Sequence, residues 1–457
     1  MRLIDTKEDV LLLELGGVDA DLSDEDIEVS FSEALQQALA RVHSGPVALL
    51  PPDGTRFHSR AGYLTDIASR ILTRWSSGDR LGMVMPALGT HMPMTEGELA
   101  RMFPGTPLQK FRSHDWRRDV LTLGRLEADW VEQAAEGAVR FDWPVQVNKA
   151  LLENDYSLIV SLGQVVPHEV IGMANHLKNL FVGTGGKEAI DKSHFTGAAY
   201  GMERMMGRLN TPVRALFDEG YRRFGNLLPP ILWALTVVGS RSEAEAHRTG
   251  KKPGSLAVRG LFVGFGRSCF EKAAALARQV NVDLLDEPIQ KAVVYLEPEE
   301  FRTTWLGNKA VYRTRMAMAD GGELLILAPG LERFGEDRGI DALIRKHGYR
   351  PAAEIRRRVE ADRELQEALS AAAHLIHGSS EGRFTVRYCP GPGVSREEIE
   401  SVGYEWGDLS EALERYAITK LSLGWNTMAD GERIFFVPNP ALGLWAEKNR
   451  FINSPIV

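Results

Sequence analysis

The chain has 457 residues, 44% hydrophobic and 25% charged, with a formal net charge of -8 at pH 7. That is the composition of an ordinary globular protein, and the length calls for two or three domains, two being expected here. The negative charge is spread along the chain, so no basic face is available for a nucleic-acid backbone, and no uncharged run of about 18 residues is present to span a membrane. Cys269 and Cys389 are the only cysteines, enough for one disulfide at most and for no thiolate cluster. With acidic residues inside the start MRLIDTKEDVLLLELGG, which break a signal peptide, they point to a cytoplasmic protein.

Over roughly the first 285 residues, short apolar runs alternate with helical patterns. VALLP at 47–51, LGMVMPALG at 81–89 and DYSLIVSLGQVVPH at 155–168 predict strands that end in loops. Gly62 to Trp75 and Glu96 to Phe103 predict helices between them, the second opened by Thr95 with Glu98 as its capping-box partner. Strands alternating with helices predict parallel α/β layers. Ligands of such sheets bind beyond the carboxyl ends of the strands, where His91 and His168 fall.

A second alternation begins near residue 290 with KAVVYLEP, a helix from Asn308 to Met318, ELLILAPG, a helix around Asp341 to His347, and FTVRYC at 384–389. It predicts a smaller Rossmann-like domain. RRRVEADRELQE at 356–367 reads as a solvated helical face and CPGPGVS at 389–395 as a loop. The last strand and loop, ERIFFVPNPALGLWAEKNRF, are expected to pack back on the first domain. The expected division is an N-terminal catalytic and cofactor-binding α/β domain, 1–288 with 435–457, and a Rossmann-like α/β domain, 289–434, with the active site in the cleft between them.

His168, His176, Lys178 and His194 fall in one short, loop-rich region. Histidine titrates near neutrality and ligates metals, so the cluster could handle protons, bind a metal, or simply be structural. HEVIG at 168–172 begins like a zinc-protease motif, but Gly172 stands where the second histidine is required. FVGFGRSC at 262–269 presents Gly264 and Gly266 before a helical stretch, with Asp283 and Asp286 further on, a partial imitation of a dinucleotide-binding turn. Asp53 and Arg56 follow the strand VALLP, placing a carboxylate and a guanidinium able to grip an anion at the sheet's mouth.

In order and spacing, these fragments resemble the nickel-dependent lactate racemase family. Asp53 and Arg56 match its D-x-x-R, GTHMPMTEGE at 89–98 its G-x-H-R-P-type loop, and SHDW at 113–116 its H-D element. NKALLENDYSLIVSLGQVVPH at 148–168 resembles the approach to its second catalytic histidine, followed by Lys178 and His194, and GRLNTPVRALFDEG at 207–220 resembles its G-N-P-x-R stretch. The resemblance implies a 2-hydroxy acid racemase or epimerase acting by proton-coupled hydride transfer to a nickel-pincer nucleotide made by dedicated synthesis enzymes. It implies His91 and His168 as catalytic bases, Lys178 as the covalent attachment point and His194 as the nickel ligand. Arg56 and Lys309 would bind the substrate carboxylate, and Asp53 would lie near the cofactor's nucleotide part.

The chain departs from the pattern around the substrate. Met92 replaces an arginine, Met173-Ala174-Asn175-His176-Leu177 replaces a small Ser-Gly-Gly run, WLGNKA at 305–310 puts Leu306 on a glutamine, and DREL at 362–365 lacks a tryptophan. These changes point beyond lactate to a larger 2-hydroxy acid, such as a hydroxy dicarboxylate or a sugar acid. Two alternatives stay open: an NAD-dependent 2-hydroxy acid dehydrogenase using Gly264 and Gly266, and a non-catalytic relative that binds the nickel cofactor.

Overall fold

The computed structural model describes residues 8–76, 78–252, 254–441 and 443–453. The first seven residues of the start that argued against a signal peptide, and the last four of the 435–457 segment, lie outside them. The described chain forms two compact units: residues 1–193 with 209–281, and residues 194–208 with 282–457.

The first unit is built on a six-stranded sheet of β1 (Val10–Gly16), β2 (Val47–Leu50), β3 (Leu81–Val84), β4 (Leu158–Gln164), β5 (Ile231–Ser240) and β6 (Leu256–Phe265). The order is β1-β6-β5-β4-β2-β3. The four strands from β5 to β3 are parallel, while β6 and β1 are antiparallel additions that the expected all-parallel layer did not include. VALL and LIVSLGQ are buried at every position, as strands covered on both faces must be. One face is closed by helix Asp24–Leu39, started by a Ser23–Asp26 capping box, and helix Ala61–Thr73. Phe31, Leu35, Leu64 and Ile67 interleave there with Leu49, Val160 and Leu162.

Winding reverses inside this sheet. From β2 the chain moves outward to β3, then returns to place β4 on the other side of β2. The crevice beyond the carboxyl ends of β2 and β4 is therefore a topological switch point, where such sheets bind ligands.

The second unit carries its own six-stranded sheet of β7 (Ile289–Tyr295), β8 (Met318–Ala328), β9 (Thr385–Pro390), β10 (Glu405–Trp406), β11 (Gly424–Thr427) and β12 (Arg433–Val437), in the order β10-β9-β8-β7-β12-β11. All its pairings are parallel except β11 with β12, the layered α/β pattern expected of this region. The expected helix from Asn308 to Met318 is shorter, Lys309–Thr314, because β8 already begins at Met318. The charged stretch 356–367 is helical and largely solvated, interrupted where Asp362 caps a new turn.

The division differs from the expected one in three places, since residues 282–288 also fall in the second unit. The described residues from 435 to 453 fall in the second unit, because β12 pairs with β7, and strand Leu444–Glu447 pairs with strand Val282–Leu285. Residues 194–208 join them: Met202 and Met206 pack with Tyr312, Met316, Leu444 and Phe451, and Glu203 pairs with Arg383 at 2.7 Å. Cys269 and Cys389 are free, buried thiols. Among the described residues no helix is long and apolar enough to cross a membrane.

Gly62 shows how tightly helix Ala61–Thr73 is seated: a Cβ there would lie 2.1 Å from the carbonyl oxygen of Met102, at the end of helix Glu96–Met102. Gly62→Ala should force the two helices apart and cost about 1–3 kcal/mol, read as a lower midpoint in urea unfolding. An unchanged midpoint would show that the two helices do not meet there.

Candidate active site

Each catalytic candidate of the first unit sits just past a strand end. Asp53 follows β2 and is buried, while His91 lies in the loop after β3 with its side chain 57% exposed. That loop is closed by the expected Thr95–Glu98 capping box, which starts helix Glu96–Met102. His91 Nδ1 lies 2.6 Å from Asp53 Oδ2, and the Thr55 hydroxyl donates to Asp53 Oδ1 at 2.5 Å. A buried carboxylate has no use for a lone-pair partner, so Nδ1 carries the hydrogen and Nε2 keeps the free lone pair. Burial pushes the Asp53 carboxyl up, but the hydrogen bond and charge of His91, the Thr55 hydroxyl and the Arg56 charge outweigh it and hold it below the usual range. The sequence reading placed Asp53 near a nucleotide; its partnership with His91 joins two strand ends 38 residues apart and has no local signature.

His168 follows β4 in a two-residue ladder, Pro167–His168 against Gly172–Met173. It is buried, and its Nδ1 accepts the Val170 N–H at 3.1 Å. Glu169 Oε2 lies 3.7 Å from the same nitrogen. A nitrogen that accepts an amide hydrogen has none to donate, so Glu169 acts there through its charge and the ring hydrogen of neutral His168 sits on Nε2. Glu169 joins the candidate site only through these contacts, since a lone glutamate beside a histidine is unremarkable in sequence.

Lys178 is the second residue of the short helix Leu177–Phe181. Its neighbour Asn179 is buried and donates from Nδ2 to the Leu50 carbonyl at the end of β2 and to the Ser161 hydroxyl on β4, both at 2.9 Å. The lysine is thereby fixed over the switch point. Enclosure, then the charge of Arg56, pushes its amine down to about 8, against the opposing pull of Glu169 and Asp53. Asp53, Arg56, Glu169 and Lys178 thus share one electrostatic neighbourhood. Perturbed groups gathered at a sheet's mouth mark a functional site.

Of the other candidates, two are held in structural hydrogen bonds and two belong to the second unit. His114, from the SHDW element, is buried; its Nε2 donates to the Gly185 carbonyl at 3.0 Å and its Nδ1 accepts from Asn148 Nδ2 at 2.9 Å. Burial holds its ring below the usual histidine range. His176 is buried with Nε2 donating to the Gly266 carbonyl at 3.1 Å. His194, partly buried on helix Lys187–Tyr200, belongs to the second unit. So does Lys309, which opens helix Lys309–Thr314 with its ammonium 5.5 Å from the Phe301 ring centre. Asn308 beside it is fully buried and accepts from the hydroxyls of Tyr388 at 2.8 Å and Tyr404 at 3.1 Å.

The dinucleotide-like turn is filled by the chain itself. Gly264 lies within β6, where a Cβ would meet the Val10 carbonyl at 2.6 Å, and at Gly266 a Cβ would meet the Asp9 carboxylate at 2.7 Å. Asp9 also accepts from the Ser268 amide at 3.1 and 3.2 Å and from its hydroxyl at 2.5 Å. A side-chain anion already occupies the helix start where a pyrophosphate would sit. The strand before the turn is moreover antiparallel to its neighbours, unlike that of a dinucleotide fold.

The low pKa of Lys178 has a stability consequence. Between about 8 and 10.5 the folded state holds fewer protons at this residue than the unfolded chain, so the cost of enclosing it is full below about 8 and fades as pH rises through 10.5. Lys178→Met should therefore be more stable than the parent at pH 7 by roughly 1–3 kcal/mol, allowing for partial exposure, with the gap narrowing toward pH 10.5. Urea unfolding of both proteins across that range checks this; a gap independent of pH would mean an ordinary lysine.

Residues 24–205 match the family model described as the lactate racemase N-terminal domain. No curated protein matches the chain. A crystal structure of a protein from Thermotoga maritima superposes with a TM-score of 0.75 at 23% identity, covering 94% of this chain and 99% of that one. The lactate racemase apoprotein from Thermoanaerobacterium thermosaccharolyticum superposes with a TM-score of 0.68 at 17% identity, covering 98% of this chain and 97% of that one. At these identities the superpositions establish the fold. The matched segment contains Asp53, Arg56, His91, His168, Lys178 and His194, and over these residues the chain is similar to the lactate racemase N-terminal domain.

Proposed function

We propose that the chain is a racemase or epimerase of a 2-hydroxy acid that works with a nickel-pincer nucleotide held on Lys178. The observation that carries this reading is the convergence at the switch point of an Asp53–His91 pair, a second histidine at a neighbouring strand end, and a lysine whose amine is held near 8 beside Arg56. An amine partly neutral at physiological pH is suited to a covalent bond with an activated acyl group. His194 would be the nickel ligand, imidazole being a fitting donor for that metal. The nucleotide would, when bound, supply hydride-accepting chemistry for C2 of the substrate.

The chain's own residues handle the proton and the geometry. Arg56, and Lys309 from the second unit, would bind the substrate carboxylate, the guanidinium in a two-pronged grip. His91 Nε2, oriented by Asp53, would take the hydroxyl proton from one enantiomer, and His168 would take it from the other on Nδ1, the ring nitrogen without a hydrogen, on releasing the Val170 amide. Each would return it in the reverse direction, as a general acid–base group must. Glu169 would place a negative charge 3.7 Å from the His168 ring. The departures at Met92, Leu306 and 362–365 favour an acid larger than lactate. The dehydrogenase alternative needs the Gly264–Gly266 turn open, which Asp9 occupies.

Protein produced together with the cofactor-synthesis enzymes should carry the adduct on Lys178 by peptide mass mapping, contain nickel, and interconvert the enantiomers of a 2-hydroxy acid. His194→Ala should release the nickel. An adduct on Lys187 or Lys192, or none in active protein, would sink the attachment assignment, while stoichiometric nickel without turnover would identify the non-catalytic relative.

His91→Ala and His168→Ala should each lower racemisation by about 10²–10⁴ while leaving adduct and nickel in place. In single turnover each variant should reduce the cofactor from one enantiomer only. If both variants still react with both enantiomers, one of the histidines is structural.

A further inference from the structure

Lys178 is delivered by an unusual piece of backbone. The two residues before its helix, Asn175 and His176, both have positive φ, +68° and +59°, and His176 combines it with ψ of -131°. Side-chain-bearing residues avoid this region, and two in succession persist only where the surroundings enforce them. Glycine would adopt such a turn freely, and this chain uses asparagine and histidine.

The surroundings are specific. The His176 ring is buried, 5.1 Å from Phe270 at an interplanar angle of 20° and 4.2 Å from Trp233, with Nε2 donating to the Gly266 carbonyl at 3.1 Å. Its Nδ1 is buried without a partner. Burial and the Arg214 charge hold this ring well below the usual histidine range, so it is neutral. Arg214, also buried, donates from Nη2 to the carbonyls of Met173 at 2.7 Å and Asn175 at 3.4 Å, and its guanidinium lies 4.2 Å from the Phe270 ring centre. Phe270 is thus shared by the His176 ring and the Arg214 cation. The Asn175 side chain presses on β4 where Gly163 leaves room: a Cβ there would lie 2.3 Å from Asn175 Nδ2. None of these groups has a part in the proton chemistry above.

We propose that His176 and Arg214 are positioning residues that clamp the Asn175–His176 turn in its left-handed course and so hold the Lys178 amine enclosed at the switch point, where it can be acylated. The His176 ring, wedged between Trp233 and Phe270, ties the turn to β5 and to helix Arg267–Asn281, while Arg214 ties its carbonyls to helix Pro212–Phe224. Downstream, Asn179 fixes the helix to β2 and β4. Lys178 therefore lies between two anchors, and releasing the upstream one lets its amine move toward solvent. The idea rests on the proposed function only in taking Lys178 as the attachment residue.

The test uses the cofactor-free protein and acetic anhydride in trace amounts. The neutral amine attacks a carbonyl carbon, acetate leaves with the bonding pair, and the amine proton passes to water. Peptide mass spectrometry would follow Lys178, with Lys187 and Lys192 as internal references, from pH 6 to 11. In the parent, the Lys178 profile should turn over near 8. His176→Gly, which suits the backbone but removes the ring, should move that midpoint up by at least one pH unit and leave both references unchanged. His176→Phe, which keeps the aromatic wedge and loses only the Gly266 hydrogen bond, should retain most of the parent profile, and Arg214→Lys, which keeps the charge acting on Lys178 but loses the grip on the two carbonyls, should move it as glycine does. Thermal unfolding identifies which variants are folded. An unmoved midpoint in folded His176→Gly or Arg214→Lys overturns the clamp, as does a parent midpoint near 10.5. Because labelling needs neither cofactor nor substrate, a parent midpoint near 8 without racemase activity would count against the proposed function alone.

Discussion

Much of the site hangs on one side-chain amide. Asn179 is buried where β2 and β4 lie side by side and donates to a carbonyl of one and a hydroxyl of the other. Buried amide hydrogens are costly to leave unpaired, so the short helix carrying it has one favourable seat. A five-residue helix has little stability of its own; this one is placed by its contacts. With it comes Lys178, and the strand ends on either side contribute Asp53 and His168.

Charge balance then sets the character of the groups. Burial alone would raise the Asp53 carboxyl, yet His91, Thr55 and Arg56 reverse that and keep it ionised. The same Arg56 charge works against protonation of Lys178, while Asp53 and Glu169 work for it, and enclosure decides the outcome. Cations and anions are interleaved so that no group is isolated in a low-dielectric region, where an unpaired charge would be most costly. The arrangement leaves the His91 side chain exposed and the His168 ring buried, two histidines in contrasting settings within one unit.

The rest of the molecule closes off competing uses of its parts. Asp9 fills the one turn that imitates a dinucleotide site. In the second unit the strand-end loops press on one another: a Cβ at Gly330 would meet the Pro298 backbone at 2.5 Å, and one at Gly391 the Pro329 carbonyl at 2.1 Å. Behind them Tyr349, Tyr388 and Tyr404 stack at 4.7 and 5.0 Å around Asn308, the residue before Lys309. A stacked, hydrogen-bonded core of this kind fixes the backbone from which Lys309 projects.

The sequence by itself determined those features that depend on local pattern. Continuous apolar runs set the buried strands, a Thr95–Glu98 pair set the helix after His91, and motif spacing singled out Asp53, Arg56, His91, His168, Lys178 and His194. Glycine at 264 and 266 made a partial dinucleotide match, because a sequence shows that a residue is small but not what lies against it; only the fold puts Val10 and Asp9 there. The Asp53–His91 contact, the Glu169 charge beside His168 and Lys178, and the strained turn at His176 were likewise settled by tertiary structure. Each depends on groups brought together from separate strand ends or helices, and such distances are not encoded in any local period. Unit boundaries followed the same rule: residues 194–208 and 435–453 were assigned by strand pairing and by packing around Tyr312 and Phe451, long-range contacts that no local pattern announces.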